Sequence, residues 1–129
     1  MKDTELLASS QVISSDLGPD ERRAYDRYLV DFFIRVVDER DGAHLGDVVD
    51  ISLGGMKLMS KAHLPIGGTY TLRMDLAMEN GFKRQVSFAA TSAWATRSED
   101  GNHLYCGLQY LQPTAEFLQV VHRIIAELE

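Results

Sequence analysis

Residues 69–76 read TYTLRMDL and residues 84–96 read RQVSFAATSAWAT, with Asn80-Gly81 between the two segments. In both segments apolar and polar side chains alternate, so every second residue shares a face, as in a strand with one buried side. Asn-Gly is typical of a tight turn between antiparallel strands. We therefore predict an antiparallel pair of strands in this part of the chain.

Strand patterns also occur on both sides of this pair. Four further segments are predicted as strands: one that runs from Leu29 and includes Val30, Phe32, Ile34 and Val36, then Leu45–Ile51, Met56–Ser60 and Leu104–Leu111. Turns that contain Gly, Asn or Pro separate the six segments, and no helical pattern lies between them. Short antiparallel strands connected in this way favour a barrel or a sandwich over parallel βαβ units.

At the end of the chain, apolar residues recur with the spacing of an α-helix instead of that of a strand. Six apolar residues follow this repeat and form one stripe: Phe117, Val120, Val121, Ile124, Ile125 and Leu128. Pro113 ends the preceding strand, and Thr114 is placed to cap a helix over about residues 114–128. A short helix needs a surface that covers its stripe. We expect an open end or side of the barrel to supply that surface; the alternative is a groove on a partner protein.

The chain has 129 residues, a net charge of −6 and one cysteine. The acidic balance argues against binding to nucleic acid or anionic membranes, because both need a positive field. A lone cysteine excludes an intramolecular disulfide, and no segment reaches the roughly 20 apolar residues of a membrane helix. We expect a cytoplasmic protein without membrane insertion, with a flexible polar arm at residues 1–20 and one domain at residues 21–129.

Enzyme motifs are missing from the sequence. It contains no nucleophile elbow, no phosphate-binding glycine loop and no metalloprotease motif. The four histidines are scattered, and none has a second ligand at the spacing that zinc sites require. Cys106 lies on the inward parity of its strand, which is typical of a small buried side chain rather than a nucleophile. We expect a binding protein without a metal, a cofactor or an enzymatic activity.

Two short motifs could carry a binding function. Arg23 and Arg27 form an R-x-x-x-R motif with Arg22 directly before it. Guanidinium groups bind phosphates or the O6/N7 edge of guanine with paired hydrogen bonds; the alternative is a solvated segment with weak local ion pairs. The second motif, Asp50-Ile51-Ser52-Leu53-Gly54-Gly55, offers a carboxylate and a hydroxyl beside glycines that let a ligand approach the backbone. Its alternative is a tight turn.

Taken together, in this order around one strand, the two motifs resemble those of the PilZ domain family, whose members are bacterial receptors for the second messenger cyclic di-GMP. The resemblance extends from about Glu21 to the end of the chain. It implies an all-β fold with a terminal helix: a six-stranded antiparallel β-barrel followed by a C-terminal α-helix. The ligand-binding residues that it implies are Arg22, Arg23, Arg27, Asp50, Ser52 and Gly55.

The resemblance also implies a mode of action. The arginine motif would hold phosphates and guanine edges, while the Asp50 motif would line the barrel beneath another part of the nucleotide. Arg22 implies two intercalated cyclic di-GMP molecules per protomer; the alternative is that it pairs with a neighbouring acid. We expect a receptor that passes binding to an effector protein in trans through ordering of its arginine segment. The alternatives are a nucleotide-independent interaction adaptor of the same fold and, disfavoured by the negative charge, an oligosaccharide- or nucleic-acid-binding barrel.

Overall fold

The computed structural model describes residues 25–78 and 80–129. Within these residues the elements follow in the order β1 (Tyr28–Leu29), β2 (Ile34–Asp38), β3 (His44–Ile51), β4 (Gly55–Ser60), β5 (Thr69–Ala77), β6 (Lys83–Arg97), β7 (Leu104–Tyr110) and α1 (Ala115–Leu128). The predicted arm at residues 1–20 lies outside the described residues, as do Arg22 and Arg23.

Strands β2 to β7 form a closed antiparallel barrel. Hydrogen-bonded neighbours follow in the order β3, β2, β5, β6, β7 and β4, and β4 pairs with β3 again. The antiparallel pair expected from the two alternating segments is confirmed, because β5 and β6 pair from Thr69 opposite Thr91 to Ala77 opposite Lys83. The predicted fold, a six-stranded antiparallel barrel with a C-terminal helix, is confirmed as well.

The alternation of side chains places one apolar face inside the barrel. Leu72 and Met74 of β5 are fully buried, whereas Arg73 and Asp75 lie outside, where Arg73 Nε donates to Asp75 Oδ1 at 2.7 Å. Cys106 is buried in the same interior, and this burial raises the pKa of its thiol to about 12. The thiol therefore stays protonated at neutral pH and packs as an apolar side chain.

The prediction of one continuous strand from Leu29 onward is wrong. β1 places Leu29 opposite Asp50 of β3, whereas β2 places Arg35 opposite Asp47. The six positions from Leu29 to Arg35 therefore span only the three positions from Asp50 to Asp47 on β3. The extra residues cannot all pair with β3, so the chain leaves the strand between β1 and β2. Apolar side chains of this irregular segment still pack against the core. Burial alternates across the break, and for that reason the sequence pattern does not reveal it.

Helix α1 begins after Thr114, whose Oγ1 accepts a hydrogen bond from Phe117 N at 3.1 Å. Five residues of the apolar stripe are buried, namely Phe117, Val120, Val121, Ile124 and Ile125. The Phe117 ring stacks on Phe88 of β6 at 4.7 Å between centroids and meets Tyr110 of β7 edge-on at 4.8 Å. The barrel itself therefore covers the stripe. No helix in the described part of the chain has the length and apolar character needed to cross a membrane.

Candidate functional site

The two sequence motifs meet at the end of β3. Pairing of β1 with β3 places Tyr28 opposite Ile51, so the residue before β1 reaches the outer surface beside Asp50. Arg27 Nη1 donates a hydrogen bond to Asp50 Oδ1 at 2.7 Å. One arginine of the first motif and the acid of the second are thus in direct contact, although 23 positions separate them in the chain.

The ion pair between Arg27 and Asp50 is largely shielded from solvent. The exposed fraction of the side chain is 23% for Arg27 and 15% for Asp50. Burial raises the pKa of the Asp50 carboxyl, and the positive charges of Arg27 and Lys57 oppose this rise only in part. A carboxylate held in this way accepts hydrogen bonds strongly, because little water competes for its oxygens.

Ser52 stabilises the turn between β3 and β4. Its Oγ accepts hydrogen bonds from Gly54 N and Gly55 N, both at 3.1 Å, and donates to Gly55 O at 3.2 Å. The residue is buried. The tight-turn interpretation of this motif therefore holds in this structure. A direct contact of Ser52 or Gly55 with a ligand stays a prediction.

Tyr110 supports the same turn from inside the barrel. Its hydroxyl lies 3.0 Å from both Ser52 O and Gly55 O, and its single proton is shared between these two carbonyls. Burial raises the pKa of the Tyr110 phenol, so the group remains a donor. The inward parity of Tyr110 is visible in the sequence, but its role under the turn depends on the β4–β7 pairing.

The glycines of the second motif are required by close contacts. A Cβ atom on Gly55 would lie 2.2 Å from Leu108 O, and one on Gly54 would lie 2.6 Å from the ring of Tyr25. Tyr25 belongs to the arginine segment, between the two arginines of its motif. Its ring therefore docks this segment on the turn, a contact that the sequence motif does not indicate.

The remaining predicted site residues, Arg22 and Arg23, lie outside the described residues. Among residues 25–78 and 80–129, no three side chains of His, Cys, Asp or Glu are grouped in a way that could hold a metal ion. The described site thus consists of the ion pair, the Ser52 turn and the Tyr25 ring. Its chemistry is that of polar binding: a guanidinium and a carboxylate are set side by side on the outer barrel surface.

The chain is similar to known proteins both in sequence and in fold. The PilZ domain model matches residues 21–127, and no curated protein sequence matches. Among solved structures, MotI/DgrA, the inhibitor of motility of Bacillus subtilis, is 18% identical with a TM-score of 0.63, over 87% of this chain and 56% of that one. The PilZ domain of YcgR from Escherichia coli, solved with c-di-GMP, is 19% identical with a TM-score of 0.61, over 83% of this chain and 91% of that one.

The K. pneumonia MrkH–c-di-GMP complex has a TM-score of 0.62 at 18% identity, over 83% of this chain and 52% of that chain. The chain therefore spans about half the length of MotI and MrkH. The structural likeness agrees with the barrel and helix described above, and the family model covers most of the sequence. The chain belongs to the PilZ domain family.

Proposed function

We propose that this protein is a receptor for cyclic di-GMP that binds the nucleotide where its two motifs meet. Arg23 and Arg27 hold phosphates and guanine edges, and Asp50 accepts hydrogen bonds from guanine N–H groups. The observation that carries this proposal is the 2.7 Å contact between Arg27 and Asp50, which brings the two motifs to one place. The YcgR and MrkH structures with c-di-GMP support the choice of ligand.

The ion pair also suggests how binding is signalled. Arg27 and Asp50 neutralise one another in this structure, and we propose that a ligand that binds both groups exchanges their mutual contact for its own. The arginine segment is also docked through Tyr25 on the turn. Exchange of these contacts would order the segment in a new position around the nucleotide. Lower hydrogen exchange over residues 15–28 on ligand addition is the expected signature.

Helix α1 lies close to the arginine segment, so a shift of the segment on binding would reach the helix over a short distance. A cavity of about 370 Å³ lies between the arginine segment, the turn and the helix, and its lining includes Tyr28, Leu53 and His122. Tyr28 Oη donates to Glu129 Oε2 at 3.5 Å, a weak contact to the residue that follows α1. A shift of the segment would alter this surface. We infer that an effector protein recognises the change in trans, in the cytoplasm, and that the protein acts by binding rather than by catalysis.

Titration calorimetry with cyclic di-GMP tests the receptor function. Arg27→Ala and Asp50→Ala should each weaken binding by about 1.5–3 kcal/mol, roughly one to two orders of magnitude in Kd, as expected for hydrogen bonds to charged groups. Arg123→Ala, an exposed arginine on α1, is the matched control and should bind as the native protein does. If all three variants bound cyclic di-GMP as tightly as the native protein, the assigned site would be contradicted.

A nucleotide-independent adaptor is the second candidate function. The observation in its favour is Phe33, which is 58% exposed and lines an outer groove of about 550 Å³ together with Arg35 and Lys83. Contiguous exposed apolar patches mark protein-binding surfaces, and Phe33 with Leu76 and Ala77 supplies the apolar part of this groove. This candidate would replace the first if the native protein showed no heat of binding with cyclic di-GMP and yet bound its effector.

A further inference from the structure

The outer groove of about 550 Å³ lies across β2, β5 and β6 and is called the β2–β5–β6 groove below. Arg35 of β2 lies opposite Asp75 of β5, and Asp75 lies opposite Gln85 of β6. Ala77 and Lys83 form the next pair on the same face, two positions further along β5. None of these three strands carries a residue of the two nucleotide motifs. The groove is therefore a surface separate from the candidate nucleotide site.

Phe33 is the apolar anchor of the groove. It directly precedes β2, whose first residue, Ile34, is buried in the barrel. Neighbouring residues of an extended chain point to opposite faces, so the register that buries Ile34 turns Phe33 outward, where it is exposed. Arg35 Cζ lies 5.5 Å from the centre of the Phe33 ring, within the range of a cation–π contact. Aromatic and arginine side chains are the types enriched at protein interfaces.

The charges of the groove are predominantly positive. Its lining contains three cations and one acid, namely Arg35, Lys83, Arg84 and Asp75. The acid is neutralised, because both Asp75 oxygens accept hydrogen bonds from Arg73. Arg84 pairs with Glu116 of α1. Within the described part of the chain, the other two cations of the lining form no ion pair. A protein with a net charge of −6 thus has a positive groove beside an exposed aromatic ring.

We propose that the β2–β5–β6 groove docks an acidic segment of the effector protein. An apolar side chain of that segment packs on Phe33, and flanking carboxylates meet Arg35 and Lys83. Charge complementarity selects this occupant: the two cations attract an acidic segment and repel a basic one. The negative charge of the rest of the chain repels an acidic partner elsewhere, which directs the contact to this groove.

The groove is linked to the nucleotide site by a short stretch of chain. Phe33 is six positions after Arg27, which is paired with Asp50. Between them the chain follows β3, since Val30 N donates to Val49 O at 2.9 Å. A displacement of Arg27 by the nucleotide would pull on this stretch and move Phe33. This coupling rests on the proposed cyclic di-GMP function, and it requires docking and nucleotide binding to change one another's affinity by the same factor.

Fluorescence anisotropy of a labelled synthetic peptide, in which glutamates flank a Leu-Phe pair, tests the docking surface. The native protein should bind this probe, and its affinity should fall as salt screens the charge contacts. A matched peptide with glutamine in place of glutamate should bind at least about fivefold more weakly, as should a peptide with alanine in place of Leu-Phe. Together these peptides test the two halves of the proposed recognition.

Variants of the groove place the peptide on the protein. Phe33→Ala and Lys83→Gln should each weaken peptide binding by about 5- to 10-fold. The matched controls are Ile66→Ala, an exposed apolar residue before the opposite end of β5, and Lys61→Gln, an exposed lysine after β4. Both controls should bind the peptide as the native protein does. Thermal unfolding checks each barrel, and the lysine pair decides alone if Phe33→Ala does not fold.

The outcomes for docking are distinct. No binding of the glutamate peptide to the native protein, or equal affinity of the native protein and both groove variants, overturns the docking surface. A native dimer in sedimentation that Phe33→Ala dissociates assigns the groove to a second copy of the chain and overturns the effector as occupant. Displacement of the probe by a peptide of residues 1–20 at lower concentration assigns it to the chain's own N-terminal segment, with the same consequence.

The nucleotide separates docking from the receptor function. Saturating cyclic di-GMP should change the peptide affinity by about fivefold or more, the lower end of usual coupling between sites. A nucleotide that binds in calorimetry without changing the peptide affinity overturns the coupling. If calorimetry shows no nucleotide binding while the peptide still docks on Phe33 and Lys83, the receptor function and the coupling fail, and the docking surface remains.

Discussion

Burial of Asp50 favours the protonated form of its carboxyl, whereas the proposed binding of guanine needs the ionised form. Burial raises the pKa of its carboxyl above the ordinary value of about 3.9, against the opposing charges of Arg27 and Lys57. The ionised form can accept one guanine N–H group at each oxygen, whereas protonation turns one of the two oxygens into a donor. Acidification protonates the carboxyl earlier than in an exposed aspartate, so the affinity for cyclic di-GMP should fall as the pH is lowered through the raised pKa and be constant well above it.

Calorimetry from about pH 7 to about pH 4 measures this dependence. Asp50→Asn is the control, because its amide does not titrate: its affinity should be lower at neutral pH but nearly independent of pH. A native affinity that stays level over the whole range, or an equal slope in the variant, would show that Asp50 is not the titrating contact.

At the scale of elements, helix α1 depends on the barrel for its stability. Phe117 is fully buried between the rings of Phe88 and Tyr110, so Phe117→Ala should lower the free energy of unfolding by about 3–5 kcal/mol. Thr114→Ala removes the cap and should cost about 1 kcal/mol. Gln119→Ala, an exposed change in the same helix, should stay within about 0.5 kcal/mol.

Denaturant unfolding monitored by circular dichroism measures the three differences. Similar small effects of Phe117→Ala and Gln119→Ala would mean that the helix is not packed on the barrel in solution. The Thr114 variant should bind the ligand with native affinity, because a frayed start of α1 should leave the contact between Arg27 and Asp50 unchanged. Its ligand affinity is therefore a check on the proposed path from the arginine segment to α1.

At the scale of the whole molecule, the property to predict is the number of ligand molecules that one protomer binds. Arg22 directly precedes the R-x-x-x-R motif, and two stacked dinucleotides would bring four phosphates together, a charge that a third guanidinium offsets. We predict two cyclic di-GMP molecules per protomer for the native protein and a shift toward one for Arg22→Leu.

Calorimetry gives the stoichiometry, and native mass spectrometry confirms it. Arg123→Leu is the control for the loss of one arginine and should retain two ligands. One ligand per native protomer would contradict this prediction and favour an Arg22 that pairs with a neighbouring acid, without affecting the receptor function itself.

Local patterns in the sequence were enough to predict the barrel strands, the helix and its cap. Alternation in 69–76 and 84–96 reports burial on one face, and burial is what a closed barrel requires of every strand. The same signal misplaced the first strand, because Val30 and Phe32 are half-buried although they lie outside β1 and β2. Periodicity measures which side of the chain is buried; it does not measure which hydrogen bonds the backbone forms.

The motif residues Arg27, Asp50, Ser52 and Gly55 were predicted because short motifs keep fixed residue types at fixed spacing. Their arrangement depends on the tertiary structure: the contact of Arg27 with Asp50 needs β1 to pair with β3. The same is true of two residues whose types no motif specifies, namely Tyr25 over Gly54 and Tyr110 under the turn. The sequence by itself determined which faces are buried and which residue types are available. Only the closed barrel decided which of them meet, since strand register joins residues that are distant in the chain.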